Sequence, residues 1–77
     1  MANKDYDYFL VKPIEFTKYL DKLKENAEVN VIEEKQLTYY TVNNYIVGFS
    51  ELDCETLITY YFVNVTFENI FNEVQNG

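Results

Sequence analysis

The sequence predicts an α+β domain: a small, antiparallel-rich sheet of four to five strands, with two helices packed mainly on one face. The expected order is β-α-β-β-β-β-α, in a single domain spanning residues 1–77. Three observations carry this reading. Residues 56–65, Thr-Leu-Ile-Thr-Tyr-Tyr-Phe-Val-Asn-Val, are the longest run of β-branched and aromatic residues and read as a strand. Two other stretches place their apolar residues at a helical period. Between them, Asn43-Asn44 stands flanked by strand-forming residues, which is the signature of a tight hairpin, since Asn accepts positive φ.

The elements follow in order. Tyr6 to Val11 reads as the first strand, with Tyr8 and Leu10 on one face and Phe9 and Val11 on the other. Pro13 stops it and suits the first helical turn, where its missing N–H is no loss. Ile14, Phe16, Tyr19, Leu20 and Leu23 then mark a helix from Pro13 to Glu25, with Asn26 as its expected C-cap. Val29 to Glu34 reads as the second strand and Leu37 to Val42 as the third, joined by a polar turn. Tyr45 to Ser50 is the fourth, with Gly48 marking a bulge or a close backbone approach. Residues 51–54 turn the chain into the long fifth strand. Thr66 is the expected N-cap of the last helix, whose stripe is Phe67, Ile70, Phe71 and Val74.

The long strand raises the functional question. One face carries Leu57, Thr59, Tyr61 and Val63, the other Ile58, Tyr60 and Phe62. Both are largely apolar, while two helices on one side cover one face only. The uncovered face is then a larger apolar patch than a soluble monomer usually shows. We therefore expect an interface, for a second copy or another protein, at Ile58, Tyr60 and Phe62 with Tyr39, Tyr40 and Tyr45, or else at the strand's other face, Thr59, Tyr61 and Val63. Tyrosine suits such surfaces, being apolar in body and polar at its tip.

Charge narrows the partner. The chain has 6 basic and 13 acidic residues, no histidine, and a formal charge of −7. The imbalance lies in residues 25–77, where Lys35 alone stands against the acids. Direct binding of nucleic acid or an anionic membrane needs cations, so neither is expected. A basic protein partner is. Glu33, Glu34, Glu51, Asp53 and Glu55 are the candidate contacts. Carboxylates at alternate strand positions recur roughly every 6.8 Å and present repeated negative charge. Small acidic inhibitors of phage and plasmid origin act by imitating nucleic-acid charge in this way. An inhibitor of a basic, nucleic-acid-handling protein is thus one expectation, and a homodimeric structural or regulatory subunit the other.

Composition also excludes chemistry. Without histidine, Ser-His and Cys-His nucleophile systems cannot be built, and a zinc site lacks its usual ligands. The only glycines, Gly48 and Gly77, cannot form a phosphate-cradling loop. Cys54 lies between Asp53 and Glu55, a poor setting for a thiolate nucleophile, and has no disulfide partner. Glu51, Asp53 and Glu55 alternate as calcium ligands do, but the EF-hand glycine position is Thr56 and its closing glutamate position is Phe62. No enzyme activity, metal or cofactor is expected. No leader-like or membrane-spanning run stands out, and the single cysteine suits a reducing compartment. The expected location is cytoplasmic, in the host cell if the chain is phage-encoded.

Overall fold

The computed structural model describes residues 7–76 and bears out the α+β class and the element order. The elements are β1 (Tyr8–Val11), α1 (Pro13–Lys24), β2 (Asn30–Glu33), β3 (Leu37–Val42), β4 (Tyr45–Asp53) and β5 (Ile58–Asn64). A single 3-10 turn (Val65–Phe67) then leads into α2 (Glu68–Asn76). The sheet order is β1-β5-β4-β3-β2, with every neighbouring pair antiparallel. Tyr6, expected to open the first strand, lies outside the described residues.

Both helices lie on one face, because the apolar sets of helix and strand meet there. Phe16, Tyr19 and Leu23 of α1 and Phe71 of α2 pack on Val11, Val47 and Val63 to form the buried core. Gly48 allows this contact. A Cβ at that position would stand 2.7 Å from the Phe62 carbonyl oxygen and 2.9 Å from the Phe16 ring. The two sequence readings of Gly48 thus hold together: it is a close approach, and it adjoins a bulge. Tyr40 pairs with Gly48 but Thr41 pairs with Ile46, so Val47 is the extra residue.

Local chemistry fixes the connections. The backbone N–H of Lys12 donates to the Glu15 carboxylate at 2.9 Å, closing the first turn of α1 behind Pro13. Asn43 and Asn44 adopt φ of 53° and 67°, the left-handed pair that a two-residue hairpin needs.

Several boundaries differ from expectation. α1 ends through Glu25 in right-handed backbone, so Asn26 is not a left-handed cap. β4 runs on to Asp53, and the turn expected at residues 51–54 falls at 54–57 instead. Leu57 leaves the strand and closes that turn at φ 61°. Thr66 does not cap the last helix. Asn64 does the equivalent work, its side-chain oxygen accepting from the Thr66 N–H at 2.9 Å. An amide can also donate, and the Asn64 Nδ2 reaches the Ile46 carbonyl at 2.8 Å. One side chain thereby ties the end of β5 to β4 and to the start of the 3-10 turn.

Candidate functional site

The face of the sheet away from the helices is the candidate site. Strand alternation sets its members. On β5 they are Ile58, Tyr60 and Phe62, and on β1 Tyr8 and Leu10. Phe49 of β4 stands at the centre. Its ring stacks on Phe62 at 4.7 Å between centroids with planes 17° apart, and meets Tyr8 edge-on at 5.0 Å. Tyr39 lies on its other side at 6.3 Å. Offset and edge contacts of this kind are favourable beyond their buried area.

Around these rings runs an open cleft of about 560 Å³, lined also by Leu37, Ile46, Asp7 and Glu51. Among the described residues, none that lines it is basic. Its aromatic floor is half-buried, while Leu10 at 60 % and Ile58 at 50 % exposure leave apolar surface facing outward on either side. Burial, reinforced by the neighbouring Asp7 carboxylate, raises the pKa of the Tyr8 hydroxyl above its ordinary range. The cleft thus sets two carboxylates, Asp7 and Glu51, beside half-buried aromatic rings.

The structure sorts the expected interface residues into two sets. Ile58, Tyr60, Phe62 and Tyr39 belong to the open face. Tyr40 does not: it packs edge-on against Phe16, at 5.2 Å, on the helix side. Tyr45 also lies on the helix side, 5.6 Å from the Phe67 ring. Tyr40 follows Tyr39 in β3, so alternation alone puts the two on opposite faces; for Tyr45 the cause is the bulge at Val47. Without it, Tyr45 and Phe49 would share a face, being four residues apart in one strand. The extra residue inverts the alternation, so Tyr45 turns to the helices and Phe49 to the open side. Sequence reasoning consequently missed Phe49, and it passed over Tyr8, Leu37 and Ile46. Gly48 was the available signal, as a bulge marker that changes which side chains share a face.

The five expected acids gather at one end of the sheet, where the β2–β3 and β4–β5 turns lie together. Their roles differ. Glu51 is on the open face, opposite Leu37 on one side and Tyr60 on the other. Glu33 and Glu34 are exposed at the β2–β3 turn, and Glu55 is exposed in the other. Asp53 is a turn-former. Its Oδ1 accepts the N–H groups of Glu55 at 2.9 Å and Thr56 at 3.4 Å, so part of its hydrogen-bonding capacity is spent locally. Cys54 is exposed and its sulfur accepts from Gln36 Nε2 at 2.7 Å. Among the described residues no three acidic or cysteine side chains converge as a metal site would require, and no helix is long and apolar enough to cross a membrane.

The lysines of α1 lie on the far side of the molecule. Lys22 reaches Glu25 at 3.6 Å and Glu73 of α2 at 3.8 Å, two surface pairs of small energetic weight. Charges on the helix layer are mixed, Lys18, Lys22 and Lys24 standing against Glu15, Asp21, Glu68 and Glu73, while the acidic end of the sheet includes Lys35 beside Glu34. No family model, curated protein or solved structure matches the chain.

Proposed function

We propose that the chain is a non-catalytic binding module that presents the open face of its sheet to a basic protein surface. The observation that carries this reading is the aromatic cleft around Phe49, edged by Asp7 and Glu51. Aromatic rings supply rigid contact area at low entropic cost and attract Lys or Arg through their π-faces. The carboxylates add steering towards the same cations and set the orientation of docking. Glu33, Glu34 and Glu55 extend the negative field along one end, while Asp53 shapes the turn that displays it.

Surfaces rich in Lys and Arg are the working surfaces of proteins that handle nucleic acids. Occupying one would make this chain an inhibitor by charge mimicry, the finer form of the proposal. A second copy fits the open face less well. Face-to-face packing would bring Glu51 and Asp7 of both copies into one desolvated layer, without a cation from the cleft to compensate.

The test is capture of a binding protein on the immobilised chain at low and at high salt, followed by identification. The expected result is a discrete basic protein, released by salt, whose retention falls with Glu51→Lys and with Phe62→Ala. Capture that ignores salt and survives both substitutions would show that the open face is not the binding surface.

A further inference from the structure

We infer that β2 is a self-pairing edge that joins two copies of the chain into one continuous antiparallel sheet. This concerns a different surface from the open face and stands or fails independently of the proposal above.

Among the described residues β2 closes one side of the sheet and pairs with β3 alone. All four of its residues are exposed. Val31, on the helix side, is 52 % exposed, and Ile32, on the open side, 48 %. The helices rest over the β5 side of the sheet and leave this strand bare. Natural edges are usually guarded by proline, lysine or a bulge, since unpaired N–H and C=O groups invite another strand. Asn-Val-Ile-Glu has no proline, lysine or bulge, and only its shortness and the terminal Glu33 guard it.

The hydrogen-bond phase of the ladder says which groups are free. The Glu34 N–H donates to the Leu37 carbonyl at 2.8 Å, which makes that pair a hydrogen-bonded one. In an antiparallel ladder such pairs alternate. Asn30 and Ile32 therefore turn their backbone groups towards β3, and Val31 and Glu33 turn theirs outward.

These outward groups are self-complementary. A two-fold axis through Ile32, perpendicular to the sheet, sets β2 antiparallel to its copy and keeps all helices on one side. Val31 of each copy then exchanges both backbone bonds with Glu33 of the other. Ile32 meets its own copy as a close, non-hydrogen-bonded pair, with Cα atoms about 4.5 Å apart. Asn30 lies opposite Glu34, where its carboxamide can donate to the carboxylate. No two carboxylates stand directly opposite. The two-fold closes the assembly, whereas pairing β2 with the β1 edge of a further copy would extend without end. In the closed dimer both open faces point the same way, so a partner with two basic patches would be held bivalently.

The experiment is sedimentation of the full chain over a concentration series, with amide exchange on the same samples. The expected result is a mass rising from 9.2 kDa towards twice that value, with exchange at Val31 and Glu33 slowing as concentration rises. Asn30 and Ile32 should be protected at every concentration. Val31→Pro removes an N–H that β3 does not use, and Ile32→Lys places two ammonium groups across the axis. Each should weaken association by at least about tenfold. A chain that stays monomeric, or one whose association survives both variants and is lost instead with Phe62→Ala, overturns the inference. If Val31→Pro fails to fold by circular dichroism, the exchange pattern of the unmodified chain decides the matter alone.

Discussion

The Tyr19 hydroxyl donates to the Val47 carbonyl across 2.8 Å in the interior of the protein. The bond joins α1 to the bulge of β4. Residue 47 is the extra residue of that bulge, so its backbone groups are not matched in the ladder as their neighbours are. A tyrosine from the helix supplies the missing donor. The bulge that inverts the face of Phe49 is thus held by a side chain from the opposite layer.

Tyr19→Phe should cost about 1–3 kcal/mol, because it leaves a buried carbonyl without a donor. Burial also raises the pKa of the Tyr19 hydroxyl well above the ordinary tyrosine value of 10.0. Below that value folded and unfolded chains both keep the proton, and the stabilisation is complete. Above it the unfolded chain releases the proton while the folded chain retains it. Stability should then fall by about 1.4 kcal/mol per pH unit until the folded form titrates. Denaturant titrations from neutral pH upward, compared with Tyr19→Phe, check this. A variant with the same alkaline slope as the parent would assign the effect elsewhere.

Gly48→Ala should destabilise by about 1–3 kcal/mol, in the manner of an overpacked core. The new methyl would sit 2.7 Å from a backbone oxygen, which cannot swing aside as a side-chain tip can. For a domain of this size each kcal/mol lowers Tm by about 4–8 °C. Thermal unfolding followed by circular dichroism provides the measurement. An unchanged Tm would mean that β4 can shift freely against both β5 and α1.

Asn64→Ala and Thr66→Ala should differ. The first removes two hydrogen bonds made by a buried amide, to Ile46 and from Thr66, and should cost about 1–3 kcal/mol. The second removes an exposed hydroxyl with no hydrogen bond in the described structure and should stay within about 0.5 kcal/mol. Urea unfolding of the two variants side by side tests the pair, and equal losses would restore Thr66 as the cap.

Leu57→Asn should stabilise the chain by up to about 1 kcal/mol. Leu57 holds left-handed backbone at φ 61°, a strained state for leucine that asparagine tolerates, and it is 75 % exposed. Little packing is lost in exchange. A fall in the denaturation midpoint would show instead that the leucine makes contacts worth more than its strain.

Much of the architecture was legible along the chain. The runs Leu37–Val42 and Pro13–Lys24 carry their own periods, and Asn43-Asn44 declares its turn through two residues that accept positive φ. That Ile58, Tyr60 and Phe62 share a face could be read from alternation alone; that the helices cover the opposite one could not. That Tyr40 cannot share a face with its strand neighbour Tyr39 was legible in the same way, whereas the placing of Tyr45 was not, because it depends on an inserted residue. The role of Asp53 was hidden for a similar reason. A carboxylate at a turn reads as free charge until the backbone N–H groups it accepts are placed.

By itself the sequence determined the class, the element order and the sign of the surface. Periodicity, turn chemistry and charge are local or additive properties, and each can be read without knowing what lies opposite. Only the tertiary structure decided which rings share the open face, which acids stay available, and that β2 turns Val31 and Glu33 outward. Those follow from register, and register is a relation between strands. One extra residue at Val47 is enough to change it.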